Sequence, residues 1–217
     1  MRDDRVSHTR PSVLLVDDHA VVRASFRYLL ENKEGYVVAE ADSAEAAFEQ
    51  YDLLLPDVVV LDISMPGMGG FEGLRRLRHK HKDARVLLLS MYDDSAFVTR
   101  AIKMGARGYI SKNCAPESLG KAIKAILNGE QYFSDDIAIQ MRGREKDQDS
   151  ETLSLSPREF EVFRLLAEGQ AVNEVAANLN LSPKTVSNHR SRLMDKLSLK
   201  STADLVHFAI RQGVIKI

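Results

Sequence analysis

The sequence predicts two domains: a doubly wound (βα)5 α/β domain over residues 11–130 and a small all-α four-helix domain over 153–217. Three observations lead there. Short continuous apolar runs alternate with helical periodicity as far as residue 127, eleven residues at 142–152 carry no apolar side chain, and every periodic segment beyond them is helical.

Residues 13–16, 36–39, 58–61, 86–89 and 108–110 are apolar runs of strand length, and runs such as DVVVLD suit strands covered on both faces. Residues 21–31, 44–51, 70–80, 96–104 and 116–127 place apolar side chains at helical spacing, which completes five βα units around a parallel sheet. Residues 1–10 mix both charges without the apolar stretch of a secretory signal and are expected to form a disordered tail. Residues 131–152 are expected to be a linker, with one short helix at 135–141. Beyond it, Ser156-Pro157-Arg158-Glu159 is a capping box with proline at the first helical position, Ser182-Pro183 repeats the cap, and Ser201 to Asp204 is a third start. Helices are expected at 157–168, 172–179, 183–197 and 202–212.

Composition narrows the function classes. Of 217 residues, 44% are hydrophobic and 28% charged, ordinary values for a globular chain. No run approaches the ~18 apolar residues that would cross a bilayer. A single cysteine, Cys114, excludes an internal disulfide framework and a cysteine-rich zinc module and fits a reducing compartment, so a cytoplasmic location is expected. Charge is unevenly spread: residues 153–217 hold nine Lys or Arg against six acids, while the first 152 hold 21 against 25. A basic back half points to an anionic partner such as nucleic acid.

In a doubly wound parallel sheet, ligands sit beyond the carboxyl ends of the strands, where strand order reverses. The first expected strand ends at Asp17-Asp18, the third at Asp62, the fourth at Ser90 and the fifth at Ile110-Ser111-Lys112. Three carboxylates, a hydroxyl and a lysine would then share one crevice. Carboxylate oxygens and water suit Mg²⁺, and a phosphoryl group could be accepted by one carboxylate while the metal and Lys112 neutralise it. His19 reads as an exposed residue at a helix start, Met65 and Met68 as packing, and His79 and His81 as a solvated helix end.

LLVDDH, VVLDISMPGMGG and ISK, with Ser90 and Tyr109 between them, resemble the flavodoxin-like receiver domain of bacterial two-component response regulators. The resemblance spans about 120 residues. It implies that Asp62 is the phosphoryl acceptor, phosphorylated by a sensor histidine kinase. It further implies that Asp17, Asp18, Asp62 and the backbone carbonyl of Ser64 hold Mg²⁺, and that Lys112 pairs with the phosphate. Ser90 would turn toward the phosphoryl oxygens and Tyr109 would follow it inward. Two residues depart from the family pattern: Asn113 stands where proline is common and Met91 where a small residue is common.

On the helix opened by Ser182-Pro183, Val186, Leu193 and Leu197 form one apolar stripe, and Lys184, Thr185, Ser187, Asn188, Ser191 and Arg192 lie opposite. A polar, short-chained, basic face suits a major groove of double-stranded DNA. The stretch LSPREFEVFRLLAEGQAVNEVAANLNLSPKTVSNHRSRLMDKLSLKS resembles the LuxR-type helix-turn-helix domain of NarL/FixJ-class response regulators, and SDDIA with NLSPKTV resembles the GacA-like subgroup. The resemblance implies a homodimer when active, with Leu205, Val206 and Ala209 of the last helix available for dimerisation, and gives His189 a packing or phosphate-contacting role. The rival from another class is a Mg²⁺-dependent phosphohydrolase acting through an aspartyl phosphate. Haloacid-dehalogenase-type enzymes of that kind carry D-x-D, whereas Ile63-Ser64 follows Asp62 here, so the expectation is a transcription factor and not an enzyme.

Overall fold

The computed structural model describes residues 10–91, 95–112, 116–134 and 151–215. The helix expected at 135–141, most of the polar stretch and the first nine residues lie outside them, as do Asn113 and Cys114.

Five strands form where the apolar runs predict them: β1 (Ser12–Val16), β2 (Val37–Ala41), β3 (Val58–Asp62), β4 (Val86–Ser90) and β5 (Gly108–Ser111). All pair in parallel, with β1 between β2 and β3, so strand order reverses at β1. Successive side chains point to opposite faces of a strand, and here both faces are covered. Leu14, Val59, Leu61 and Leu88 pack on one side with Phe71, Leu74, Phe97 and Ala101. Val13, Leu15, Val60 and Leu89 pack on the other with Leu30, Leu119 and Ile123. Those partners come from α3 (Gly70–Lys80) and α4 (Ser95–Lys103) on the first face, and from α1 (Ala20–Asn32) and α5 (Pro116–Leu127) on the second; α2 (Ala44–Leu54) joins α3 and α4.

A sixth strand, β6 (Tyr132–Phe133), lies parallel to β5 with Gly108 opposite Tyr132 and Tyr109 opposite Phe133. These residues fall within the linker expected at 131–152, because two residues carry no periodicity. The first domain therefore runs on to Ser134, whose amide reaches the Tyr109 carbonyl. The linker's far end is corrected too. Glu151–Ser154 is a 3-10 turn with Thr152 buried, and its carbonyl accepts from Arg100 of α4 at 3.0 Å. A polar residue is buried there because a donor reaches its backbone.

The second domain contains α6 (Pro157–Ala167), α7 (Val172–Asn178), α8 (Pro183–Lys196) and α9 (Thr202–Arg211). The capping box forms as predicted: the Ser156 side chain accepts from the Glu159 amide while the Ser156 amide donates to Glu159 Oε2 at 2.7 Å. Ser182 and Ser201 cap α8 and α9 in the same way. Phe163, Val175, Val186, Leu193, Leu205 and Phe208 fill the centre, and this core is continuous with that of the first domain. The bridge is aromatic. Phe160 of α6 lies edge-on to Phe71 and Phe97, with ring centroids at 5.8 and 5.2 Å. His81, expected to be solvated, is half-buried against the Tyr51 ring, its Nε2 at 2.9 Å from Asp52.

The β5–β6 pairing is testable. A Cβ at Gly108 would stand 2.7 Å from the Tyr132 carbonyl oxygen and 2.8 Å from Leu87. Gly108→Ala is therefore expected to displace β6 and cost about 1–3 kcal/mol by overpacking. Hydrogen exchange should show lost protection at Tyr132 and Ser134 with little change in β1–β3.

Candidate functional site

The crevice at the carboxyl ends of β1, β3 and β5 follows from strand register. Val16 pairs with Leu61, so Asp17 and Asp62 are the next residues on neighbouring strands. Both are fully buried. Lys112, one residue past β5, bridges them: its Nζ lies 2.6 Å from Asp17 Oδ2 and 2.7 Å from Asp62 Oδ2. The free oxygens have donors as well, since the Ser64 amide donates to Asp62 Oδ1 at 3.0 Å and the His19 amide to Asp17 Oδ1 at 2.8 Å.

Burial acts on each charge. It pushes the Asp62 carboxyl above the usual carboxylate range, and the nearby Asp17 adds to that; Lys112 and the Ser64 amide pull against it. For Lys112, burial lowers the ammonium's affinity for its proton, yet Asp62 and Asp17 outweigh burial and leave it raised. The lysine is held charged between two acids.

Asp18 is half-buried at the rim. Ligand atoms of Asp17, Asp18, His19 and Asp62 all lie within 4.8 Å of one another, close enough to share one cation, and the carboxylate oxygens suit a hard divalent ion. His19 takes a larger part than the sequence suggested. Exposed and at the start of α1, it brings Nδ1 to 3.2 Å from Asp17 and 3.0 Å from Asp18. Arg23, which the sequence reading passed over, donates to the Asp17 carbonyl at 2.6 Å from the next turn of α1. The signal for both was only their place after the acidic pair.

Ser90 is buried at the end of β4, and its carbonyl accepts from the Lys112 amide at 2.7 Å. Tyr109 is wholly buried, in the core cluster with Phe97 and Ala101 of α4. Its ring thus occupies an inward position. Met91 stands exposed beyond Ser90.

The second candidate surface is on α8. Val186, Leu193 and Leu197 are buried as predicted, and Lys184, Ser187, Asn188, Ser191 and Arg192 are exposed. Thr185 differs: it is half-buried and its hydroxyl lies 2.8 Å from the capping Ser182 Oγ. His189 is half-buried beneath this face; burial, with Arg158 nearby, pulls its imidazole below the usual range and so favours the neutral ring. The expected dimerisation set needs correction. Leu205 and Ala209 have no exposed surface because they form part of their own domain's core, and only Val206 of the three is partly accessible. A helical wheel identifies the apolar face of α9 and leaves open what covers it.

Comparisons identify both domains. Residues 13–124 match the family model of the response regulator receiver domain, and residues 153–209 that of bacterial regulatory proteins of the luxR family. Response regulator UvrY of Escherichia coli K12 is 39% identical over 207 residues, covering 94% of this chain and 95% of that protein. Response regulator GacA of Pseudomonas aeruginosa is 36% identical over 207 residues, covering 94% and 97%. The structure of RcsB from Salmonella enterica serovar Typhimurium, bound to promoter rprA with the phosphomimetic BeF3⁻, is similar at 27% identity and TM-score 0.65, covering 92% of this chain and 98% of that one.

Removing the cation from this crevice leaves buried acids uncompensated. Lys112→Ala is expected to destabilise the first domain by about 3–5 kcal/mol at pH 7 without divalent ions. The deficit should shrink as pH falls, because Asp62, already raised, takes up a proton and relieves the repulsion. Urea titrations at pH 7 and pH 5 measure the difference, and an equal loss at both would contradict the bridging role.

Proposed function

This chain belongs to the bacterial response regulators that join a receiver domain to a LuxR-type DNA-binding domain, and from that premise we propose that Asp62 takes a phosphoryl group and that the exposed face of α8 reads DNA. The observation that carries the first part is the double ion pair of Lys112 with Asp17 and Asp62. It compensates two buried carboxylates in one crevice and leaves a fixed cation where a phosphoryl group would arrive.

The donor is a phosphohistidine on a sensor histidine kinase. An Asp62 carboxylate oxygen attacks phosphorus, the phosphorus–nitrogen bond breaks, and the imidazole leaves with the bonding pair and takes a proton. Asp17, Asp18, Asp62 and the Ser64 carbonyl would hold Mg²⁺, which supplies charge neutralisation to the transferring group. Lys112 holds the incoming phosphoryl oxygens, and the Ser64 amide orients the Asp62 carboxylate. The acyl phosphate adds on the order of two negative charges. Ser90, buried at the end of the next strand, would donate to them, and Tyr109, buried on β5, would follow it.

On the output side, Lys184 and Arg192 meet phosphates while Ser187, Asn188 and Ser191 face base edges, with Thr185 held by the cap. These side chains are exposed while the receiver is docked on α6, which supports activation by pairing two chains on DNA. RcsB, the similar protein, is itself bound to a promoter in the presence of a phosphate mimic. The site of action is the cytoplasm, where DNA and phosphodonor are both available. None of the described helices is long and apolar enough to cross a membrane.

Mass spectrometry after incubation with a small phosphodonor and Mg²⁺ should find one phosphoryl group on the wild type and none on Asp62→Asn. Undiminished incorporation would move the acceptor elsewhere, and rapid multiple turnover of a phosphate ester would favour a hydrolase.

Readout by α8 divides into two kinds. Asn188 can donate and accept together, as adenine requires, so Asn188→Ala should relax preference at one base pair per half-site at a cost of about 1–3 kcal/mol. Arg192→Ala should weaken all sequences alike and reduce the salt slope by about one. Binding across salt concentrations and single-base operator variants separates the two. An unchanged base preference in Asn188→Ala would transfer the reading to Ser187 or Ser191.

A further inference from the structure

The joint between the two domains has charge at its centre. α4 sends in Arg100, 4% exposed, which donates to the carbonyls of Thr152 and Leu155 at 3.0 and 2.7 Å. Its guanidinium lies 4.6 Å from the Phe160 ring centroid and 5.7 Å from that of Phe71. From α6 comes Glu161, 6% exposed. Its Oε2 accepts from Arg158 Nη1 at 2.7 Å. Its Oε1 is buried, has no hydrogen-bond partner among the described residues, and lies against Gly69 in the loop between β3 and α3. The approach is so close that a Cβ at position 69, where φ is +70°, would stand 2.1 Å from that oxygen.

A buried carboxylate oxygen without a donor is costly while ionised and far less so once protonated. The charges acting on Glu161 are Arg158 and Arg164 of its own helix and Arg100 of α4. Each is shared. Arg158 also donates to the Leu179 carbonyl, Arg164 pairs with Glu168, and Arg100 is committed to the two carbonyls above. Around them, Glu159 is paired with Lys196 of α8 at 2.6 Å, and His189 of α8 feels Arg158, Glu159 and Arg192. Burial outweighs the three arginines and pushes the Glu161 carboxyl up to about 7. Burial lowers Arg100 to about 10, so it stays charged at neutral pH.

We propose that Glu161 is a proton-binding site that gates the joint: the receiver docks on α6 while the Glu161 carboxyl carries a proton, and docking weakens when it ionises. The sign follows from linkage. Undocking returns Glu161 to water and to the ordinary carboxylate range, so the docked form binds more protons. Docking is favoured fully below that range, declines as pH rises to about 7, and levels off above it. Between pH 6 and pH 8 the docking equilibrium should fall about tenfold. No phosphoryl group enters this equilibrium, so it stands apart from the role given to Asp62.

The test uses the full-length unphosphorylated protein. Carboxyl ¹³C NMR should show Glu161 titrating near neutrality, and small-angle scattering should show the chain expanding from pH 6 to pH 8. Glu161→Gln, neutral at every pH, should stay compact across that range. A Glu161 that titrates in the ordinary carboxylate range overturns the proposal. So does a Glu161→Gln protein that keeps the wild-type pH response. Should Glu161→Gln fail to fold, the wild-type titration and scattering decide alone, and scattering that does not change with pH rejects the gate.

Discussion

Two fully buried carboxylates on neighbouring strands would repel one another out of a folded sheet unless a cation stood between them, and Lys112 does so at 2.6 and 2.7 Å. Much of the receiver's architecture serves that arrangement. Parallel pairing of β1 with β3 brings the two acids level, β5 carries the lysine to their side, and the apolar faces of five helices keep the strand ends dry. The pair is a poor source of net stability, since desolvating three charges offsets most of their attraction. What it provides is a poised charge imbalance: three carboxylates and one ammonium, which an added divalent cation would offset and an added phosphoryl group would deepen.

The strands and the acids at their ends were legible because continuous apolar runs end abruptly in charge, and a (βα)5 pattern brings successive strand ends to one edge. The helices of the second domain were legible from their serine caps. Other features lacked a local signature. Nothing in the sequence singles out Arg100 or Glu161, and only the meeting of α4 with α6 buries them. Leu205 and Ala209 occupy an apolar stripe that could equally have faced a second chain, until α9 is seen packed in its own core. His19 reads as an ordinary exposed residue until the chain's turn after β1 brings its ring to the acids.

The joint explains why a two-domain chain has one continuous core. Phe71 and Phe97 of the receiver and Phe160 of α6 form an edge-to-face cluster with Arg100 lying over two of the rings. Gly69 ends the loop that begins just after Asp62, and α4 follows the segment after Ser90, so both elements touching α6 lead back to the acidic crevice. Change at the crevice therefore has two short routes to the second domain. The exposed face of α8 lies on neither.

The two-residue strand β6 looks like a minor edge ornament, yet it fixes where the chain leaves the receiver. Tyr132 and Phe133 are zipped to Gly108 and Tyr109, and the amide of Ser134 hangs from the Tyr109 carbonyl. The strand so gripped is also the one that delivers Lys112. The connector to the second domain therefore leaves the receiver from beside the strand that carries Lys112, and not from a corner of the sheet remote from the crevice.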